Sequence, residues 1–170
     1  TILNMVIGFL KATSGQVLID GQDITSLNLQ SYRSHIAVVP QQSILFSGTI
    51  RENITYGMNH ISKERLMEVI KAANLDELIA SLPDGLDTML VQGGNNLSGG
   101  QKQRLCIAKA LLANAKILIF DDSTSAVDTA TEKKIRKELE KLGDVTKIII
   151  AQRISSIQDA DRIIVMDNGK

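Results

Sequence analysis

At 170 residues the chain is the size of one domain or most of one, and 44% apolar against 22% charged residues supplies a core and argues against disorder. Lys and Arg number 19, as do Asp and Glu, so neither neutralisation of a nucleic acid's phosphates nor polybasic attachment to a membrane surface is favoured. No apolar run approaches the roughly 18 residues of a membrane helix and no signal peptide is present, so the chain is expected to be soluble and cytosolic, within a parent protein that can still be membrane-bound.

Ile2, Leu3, Val6, Ile7 and Leu10 recur at helical spacing until Thr13-Ser14-Gly15 breaks the pattern. Residues 16–21 read as a strand entering a turn, and residues 36–39, closed by Pro40, as a second strand. Residues 55–113 read as a helical insert. Ser62 is a candidate N-cap whose capping box is incomplete, because Arg65 stands where Glu or Gln is wanted. Leu66, Val69, Ile70 and Ala73 keep helical spacing, a short helix spans 75–82 before the turn Pro83-Asp84-Gly85, and residues 101–112 make the last helix of the insert. Residues 117–120 are apolar throughout, as in a strand buried on both faces. A charged amphipathic helix follows over 131–142, then buried strands over 145–151 and 162–166. Strands alternating with helices predict an α/β fold with a largely parallel core sheet.

Both ends suggest a longer sequence: Thr1 opens on a helical pattern without Met, and Asp167-Asn168-Gly169-Lys170 is a turn signal. The single cysteine, Cys106, lies in an apolar helical stretch and reads as a buried structural thiol. His35 and His60 lack a nearby His or Cys and read as surface or strand-end residues.

The strongest chemical signal is Ser98-Gly99-Gly100-Gln101. Ser98 suits an N-cap, two glycines permit close backbone approach, and a helix N-terminus offers free N–H groups and a positive dipole end to a phosphate. A plain capped helix after a glycine turn reads the same way. Asp121 and Asp122 end the apolar strand at the edge where parallel α/β sheets bind ligands, and a carboxylate there can hold Mg2+ directly or through water. A strand end that simply turns polar is the plainer alternative. Ser125-Ala126-Val127-Asp128 follows closely.

Taken in order, LSGGQ, the aspartate-ended strand and SAVD resemble the nucleotide-binding domain of ABC proteins, and the likeness covers essentially the whole chain. Val39-Pro40-Gln41-Gln42, with Leu45-Phe46 and the run Thr49 to Ile54, resembles the glutamine loop of ABC exporters of the multidrug and lipid type. The resemblance implies a P-loop NTPase core of the ABC type, with 1–54 and 114–170 as a RecA-like core, 55–113 as the helical subdomain, and truncation at both ends. It implies ATP and Mg2+ as cofactors. Thr1 matches the last threonine of the phosphate-binding loop, so the chain alone is expected to bind ATP weakly and to be a weak or inactive ATPase. Gln41 matches the glutamine that touches Mg2+ and the attacking water, and Asp121 the Walker B aspartate on the metal. Ser98, Gly99, Gly100 and Gln101 match the signature that closes on ATP held by an opposite subunit, and Asp128 the aspartate that crosses the dimer interface. Gln92 stands where exporters usually carry Glu.

Two departures bear on catalysis. Asp122 replaces the glutamate that polarises water and is one methylene shorter; a misplacement of about 1 Å can cost on the order of a hundredfold. Gln152 replaces the switch histidine; it can donate a hydrogen bond but cannot titrate. Together they resemble the degenerate half of a heterodimeric exporter. The implied partners are a second nucleotide-binding domain and a transmembrane domain, with no nucleic acid, at the cytoplasmic face of the cell membrane. Two alternatives stay open: a structural or DNA-repair ATPase of the same superfamily, and a regulatory nucleotide binder that does not hydrolyse.

Overall fold

The computed structural model describes residues 1–124, 126–167 and 169. The first apolar stretch coils into α1 (Ile2–Val6) and ends where Gly8 turns to φ 78°, well short of residue 10. β1 (Leu18–Ile19) and β2 (Gln22–Asp23) form a hairpin whose corner residues, Asp20 and Gly21, both have positive φ, the backbone that matches strand twist. α2 (Leu29–Arg33), capped by the Asn28 side chain, leads into β3 (Ile36–Val39). β4 (Gly48–Thr49) then runs directly into α3 (Ile50–Thr55), where Thr49 and Glu52 form a complete capping box. α4 (Lys63–Ala72) starts at Ser62, whose side chain accepts from the Arg65 N–H alone, the half box its sequence allows. α5 (Asp76–Ser81), β5 (Met89–Leu90) and α6 (Gly99–Leu112) follow, β5 pairing antiparallel with β4. The chain then lays down β6 (Ile117–Asp121), α7 (Thr129–Glu140) and β7 (Thr146–Ile150).

β3, β6 and β7 form one parallel sheet in the order β3-β6-β7. Side chains alternate between its faces. Leu118 and Phe120 enter the larger core with Val39, Ile54, Ile70, Leu105 and Ile107, while Ile119 turns to the other face and meets Leu3 and Ile7 of the α1 region. Both faces are therefore covered, which is why the β6 sequence is apolar without interruption. Parallel pairing also brings the C-terminal ends of all three strands to one edge, and those ends lead into Gln41, Asp122 and Gln152.

The strand expected over residues 162–166 does not form. Ile163, Ile164 and Val165 are 50%, 73% and 83% exposed, and the segment joins no ladder among the described residues. An apolar run states which face a strand would bury; its N–H and C=O groups still need a neighbouring strand to pair with. Cys106 is buried as expected, and burial pushes its thiol pKa up. His35 and His60 are exposed, and the His35 carbonyl accepts from the N–H groups of Lys116 and Ile117 at the entrance to β6.

Candidate functional site

At the C-terminal edge of the sheet, Asp122 is the meeting point. Its Oδ2 accepts from Nε2 of Gln152 at 2.9 Å and from Nε2 of Gln41 at 3.4 Å. A carboxylate only accepts, so the nitrogen of each amide faces it and each Oε1 becomes the atom available to a ligand. The Asp122 N–H still donates to the Ile150 carbonyl at 2.9 Å, yet its φ is 46°. A left-handed non-glycine residue at a strand end is conformationally costly, by roughly 1–2 kcal/mol, and it re-aims the side chain just past the last ladder pair, Asp121 with Ile150. Asp121 lies beside a cavity of about 430 Å3 that Asn4, Phe9, Arg33 and Pro40 help to line.

A second group forms at the start of α6. Ser98 Oγ accepts from the Gln101 N–H at 3.3 Å, and Gln101 Oε1 accepts from the Ser98 N–H at 2.8 Å, a complete capping box. Ser98 and Gly99 are exposed, so the helix end faces solvent. Gly100 has a second reason to lack a side chain: a Cβ there would lie 2.9 Å from the Ala126 carbonyl oxygen. The glycine lets the segment before Asp128 lie against the signature helix. Asp128 caps α7, accepting from the Thr131 N–H at 2.9 Å, and that hydrogen bond lowers its carboxyl pKa. Thr1 sits exposed at the start of α1, with no cap bond from its side chain.

Two buried polar side chains escaped the sequence reading. Gln103, 2% exposed, donates from Nε2 to the Pro40 carbonyl at 3.0 Å and accepts at Oε1 from Ser43 Oγ at 2.5 Å. Glu132, 5% exposed, accepts from Ser156 Oγ at 2.5 Å, Thr124 Oγ1 at 3.2 Å and Arg136 Nη2 at 3.3 Å. A signal for Gln103 was present: it shares its helix with buried Leu105, Cys106 and Ile107. Glu132 carried only the Glu–Arg spacing to Arg136.

The donors at the sheet edge are hard oxygens from two carboxylates and two amides. Among the described residues no three His, Cys, Asp or Glu side chains gather as a metal cage. This fits Mg2+, which binds through one or two carboxylates and takes its other ligands from water and substrate phosphates.

Comparison with known proteins identifies the family. A family model described as ABC transporter matches residues 1–125. An uncharacterized ABC transporter ATP-binding protein of Bacillus subtilis (strain 168) is 48% identical over 170 residues, covering 99% of this chain and 30% of that protein. An ATP-dependent lipid A-core flippase of Syntrophus aciditrophicus (strain SB) is 45% identical over 171 residues, covering 100% of this chain and 28% of that protein. Among solved structures, a bacterial Atm1-family ABC exporter with ATP bound superposes with a TM-score of 0.94 at 41% identity, over 99% of this chain and 30% of that one. The chain thus spans under a third of the length of these relatives. These relatives are transporters by name, which lends the DNA-repair alternative no support.

Proposed function

The chain belongs to the ABC transporter family, and from that premise we propose that it is the ATP-binding part of an exporter, working at the cytoplasmic face of a membrane. On this reading two such domains close head to tail on ATP, and hydrolysis reopens them. Residues 1–54 and 114–170 act as the nucleotide-binding core and 55–113 as the helical subdomain that carries the signature. The sheet-edge group serves this chain's own nucleotide: Asp121 and Gln41 toward Mg2+, Asp122 toward the attacking water, Gln152 toward the γ-phosphate, and Thr1 at the start of α1 toward the phosphates. Ser98, Gly99, Gly100 and Gln101 serve the nucleotide of the partner domain, and Asp128 faces that partner. Bound Mg2+ supplies charge neutralisation for the transferring phosphate; the protein's share is positioning and electrostatics.

The observation that carries the reading is the 2.9 Å bond from Gln152 to Asp122. It joins the two positions at which catalytic ABC sites carry His and Glu, at the edge where a parallel sheet receives its ligand. The residues present hold the shape of that pair but weaken its chemistry. Asp122 reaches one methylene less far toward a water, and Gln152 stays neutral at every pH. We therefore assign this chain the slow site of a heterodimer, with turnover carried by the partner's nucleotide under this chain's signature.

Ser98→Arg in the complete transporter tests the head-to-tail arrangement. The bulky side chain fills the space between the exposed end of α6 and the partner's phosphate. Steady-state ATPase should fall by about a hundredfold, in line with the loss of positioned phosphate contacts. Turnover within about twofold of wild type would remove the signature from the working site.

A further inference from the structure

The geometry points to Gln103 as a positioning residue that sets Gln41 against Asp122 and couples that setting to the signature end of α6. The inference rests on the proposal that Gln41 serves this chain's Mg2+ and ATP, and it concerns a residue to which that proposal gives no role.

Gln103 uses both ends of its amide on the segment that carries Gln41. Its Nε2 donates to the carbonyl of Pro40, the residue before Gln41, and its Oε1 accepts from Ser43, two residues after. The loop is gripped on both sides of the functional amide, and Gln41 reaches Asp122 at 3.4 Å from that grip. A buried amide with only one end satisfied costs stability, whereas a fully satisfied one fixes a geometry that an apolar side chain of equal volume leaves loose. Gln103 is 2% exposed, so solvent offers no substitute partner.

The other half of the argument is the helix. Gln103 lies five residues beyond Ser98 in the same element, about 7.5 Å along the axis. The capping box between Ser98 and Gln101 locks the first turn to the rest of α6. A shift of the Gln41 loop therefore moves the helix whose end is assigned to the partner's nucleotide. An ordinary core residue at 103 would support α6 without transmitting anything between the two.

The experiment uses the complete transporter and a photoreactive ATP analogue that labels this chain, at low temperature, as Mg2+ is raised. Gln103→Met keeps volume and removes both bonds. It should raise the Mg2+ concentration for half-maximal labelling by about threefold to tenfold, as expected for a loosened ligand, with the labelling maximum unchanged. Gln103→Glu should shift it the same way, because its carboxylate can still accept from Ser43 but opposes the Pro40 carbonyl. In a Gln41→Ala background the same substitutions should move the midpoint by less than about twofold, since the residue they act through is gone. Equal shifts in both backgrounds, or no shift from Gln103→Met, overturns the inference. If Gln103→Met does not fold, Ser43→Ala on the more accessible side of the grip carries the same comparison. A Gln41→Ala protein with wild-type Mg2+ dependence would sink the assigned role of Gln41 and this inference with it; a shifted Gln41→Ala beside a silent Gln103→Met sinks the inference alone.

Discussion

Glu132 holds together the two segments that bear Asp122 and Gln152, and its removal should be felt there before anywhere else. Its carboxylate accepts from Thr124 on one side and from Ser156 on the other, with Arg136 at 3.3 Å and Arg153 Nη1 at 3.9 Å. In Glu132→Ala the Ser156 hydroxyl, in a residue 6% exposed, loses a charged acceptor, a loss of about 1.5–3 kcal/mol. The longer Thr124 bond adds about 1 kcal/mol. Arg136 still has Asp159 at 3.3 Å, so its pair adds about 0–1 kcal/mol. The sum is about 2.5–5 kcal/mol of local stability, or roughly a hundredfold to several thousandfold in the opening equilibrium. Hydrogen exchange by mass spectrometry on the complete transporter reads this directly. The Ser156, Ile157 and Ala160 N–H groups, bonded to the carbonyls of Arg153, Ile154 and Ile157, should exchange about a hundredfold faster or more, with β6 unaffected. Glu132→Gln, which keeps an acceptor without its charge, should give about a tenfold effect. Unchanged exchange over 153–160, or acceleration spread evenly over the chain, would refute the reasoning.

Three further outcomes are expected. Ser123 is 2% exposed and its Oγ has no hydrogen-bond partner among the described residues, so Ser123→Ala should stabilise the domain by about 1 kcal/mol and raise Tm; a lowered Tm contradicts this. Gly100→Ala places a methyl 2.9 Å from the Ala126 carbonyl oxygen, so backbone must move; turnover should drop about tenfold while ATP labelling of this chain persists, and unchanged turnover counts against the close approach. Asp128 titrates below the ordinary carboxyl value because of its bond to the Thr131 N–H. Its folded pKa is the lower one, so its stabilisation of α7 is full above the unfolded value and fades as pH falls through the folded one. The Tm gap between wild type and Asp128→Ala should be open at pH 7 and close in acid, and a gap that widens on acidification reverses the assignment.

Much of the architecture was legible because burial writes itself into short runs. Residues 117–120 are apolar without a break since both faces of β6 are covered, and Ser62 and Ser98 marked helix starts through local capping chemistry. The failure at 162–166 has the opposite origin, because a ladder depends on a partner that no local pattern names. Gln103 and Glu132 were missed for a related reason. The partners of Gln103 stand 60 and 63 residues away, and Ser156 stands 24 residues from Glu132. In sequence Glu132 looks like a solvated position near the start of a charged helix, and Gln103, although its helix turns apolar just after it, follows Lys102 and precedes Arg104 as if on a wet face. Gly100 was legible as a glycine that permits close approach, but the group that comes close within the chain is the Ala126 backbone.

The central claim is that Asp122 and Gln152 make this chain's site the slow one while its signature completes a fast one. The direct measurement is nucleotide trapping during steady-state turnover in the complete transporter, comparing wild type with the double substitution Asp122→Glu, Gln152→His. Wild type should trap the hydrolysis product at the partner's site and hold unhydrolysed ATP at this chain's. The double substitution should add product trapping at this chain and raise its hydrolysis by about tenfold or more, the scale on which a correctly placed general base acts. Equal product trapping at both sites in wild type, with Asp122→Ala abolishing all turnover, would contradict the account and make Asp122 a working base in a symmetric pair.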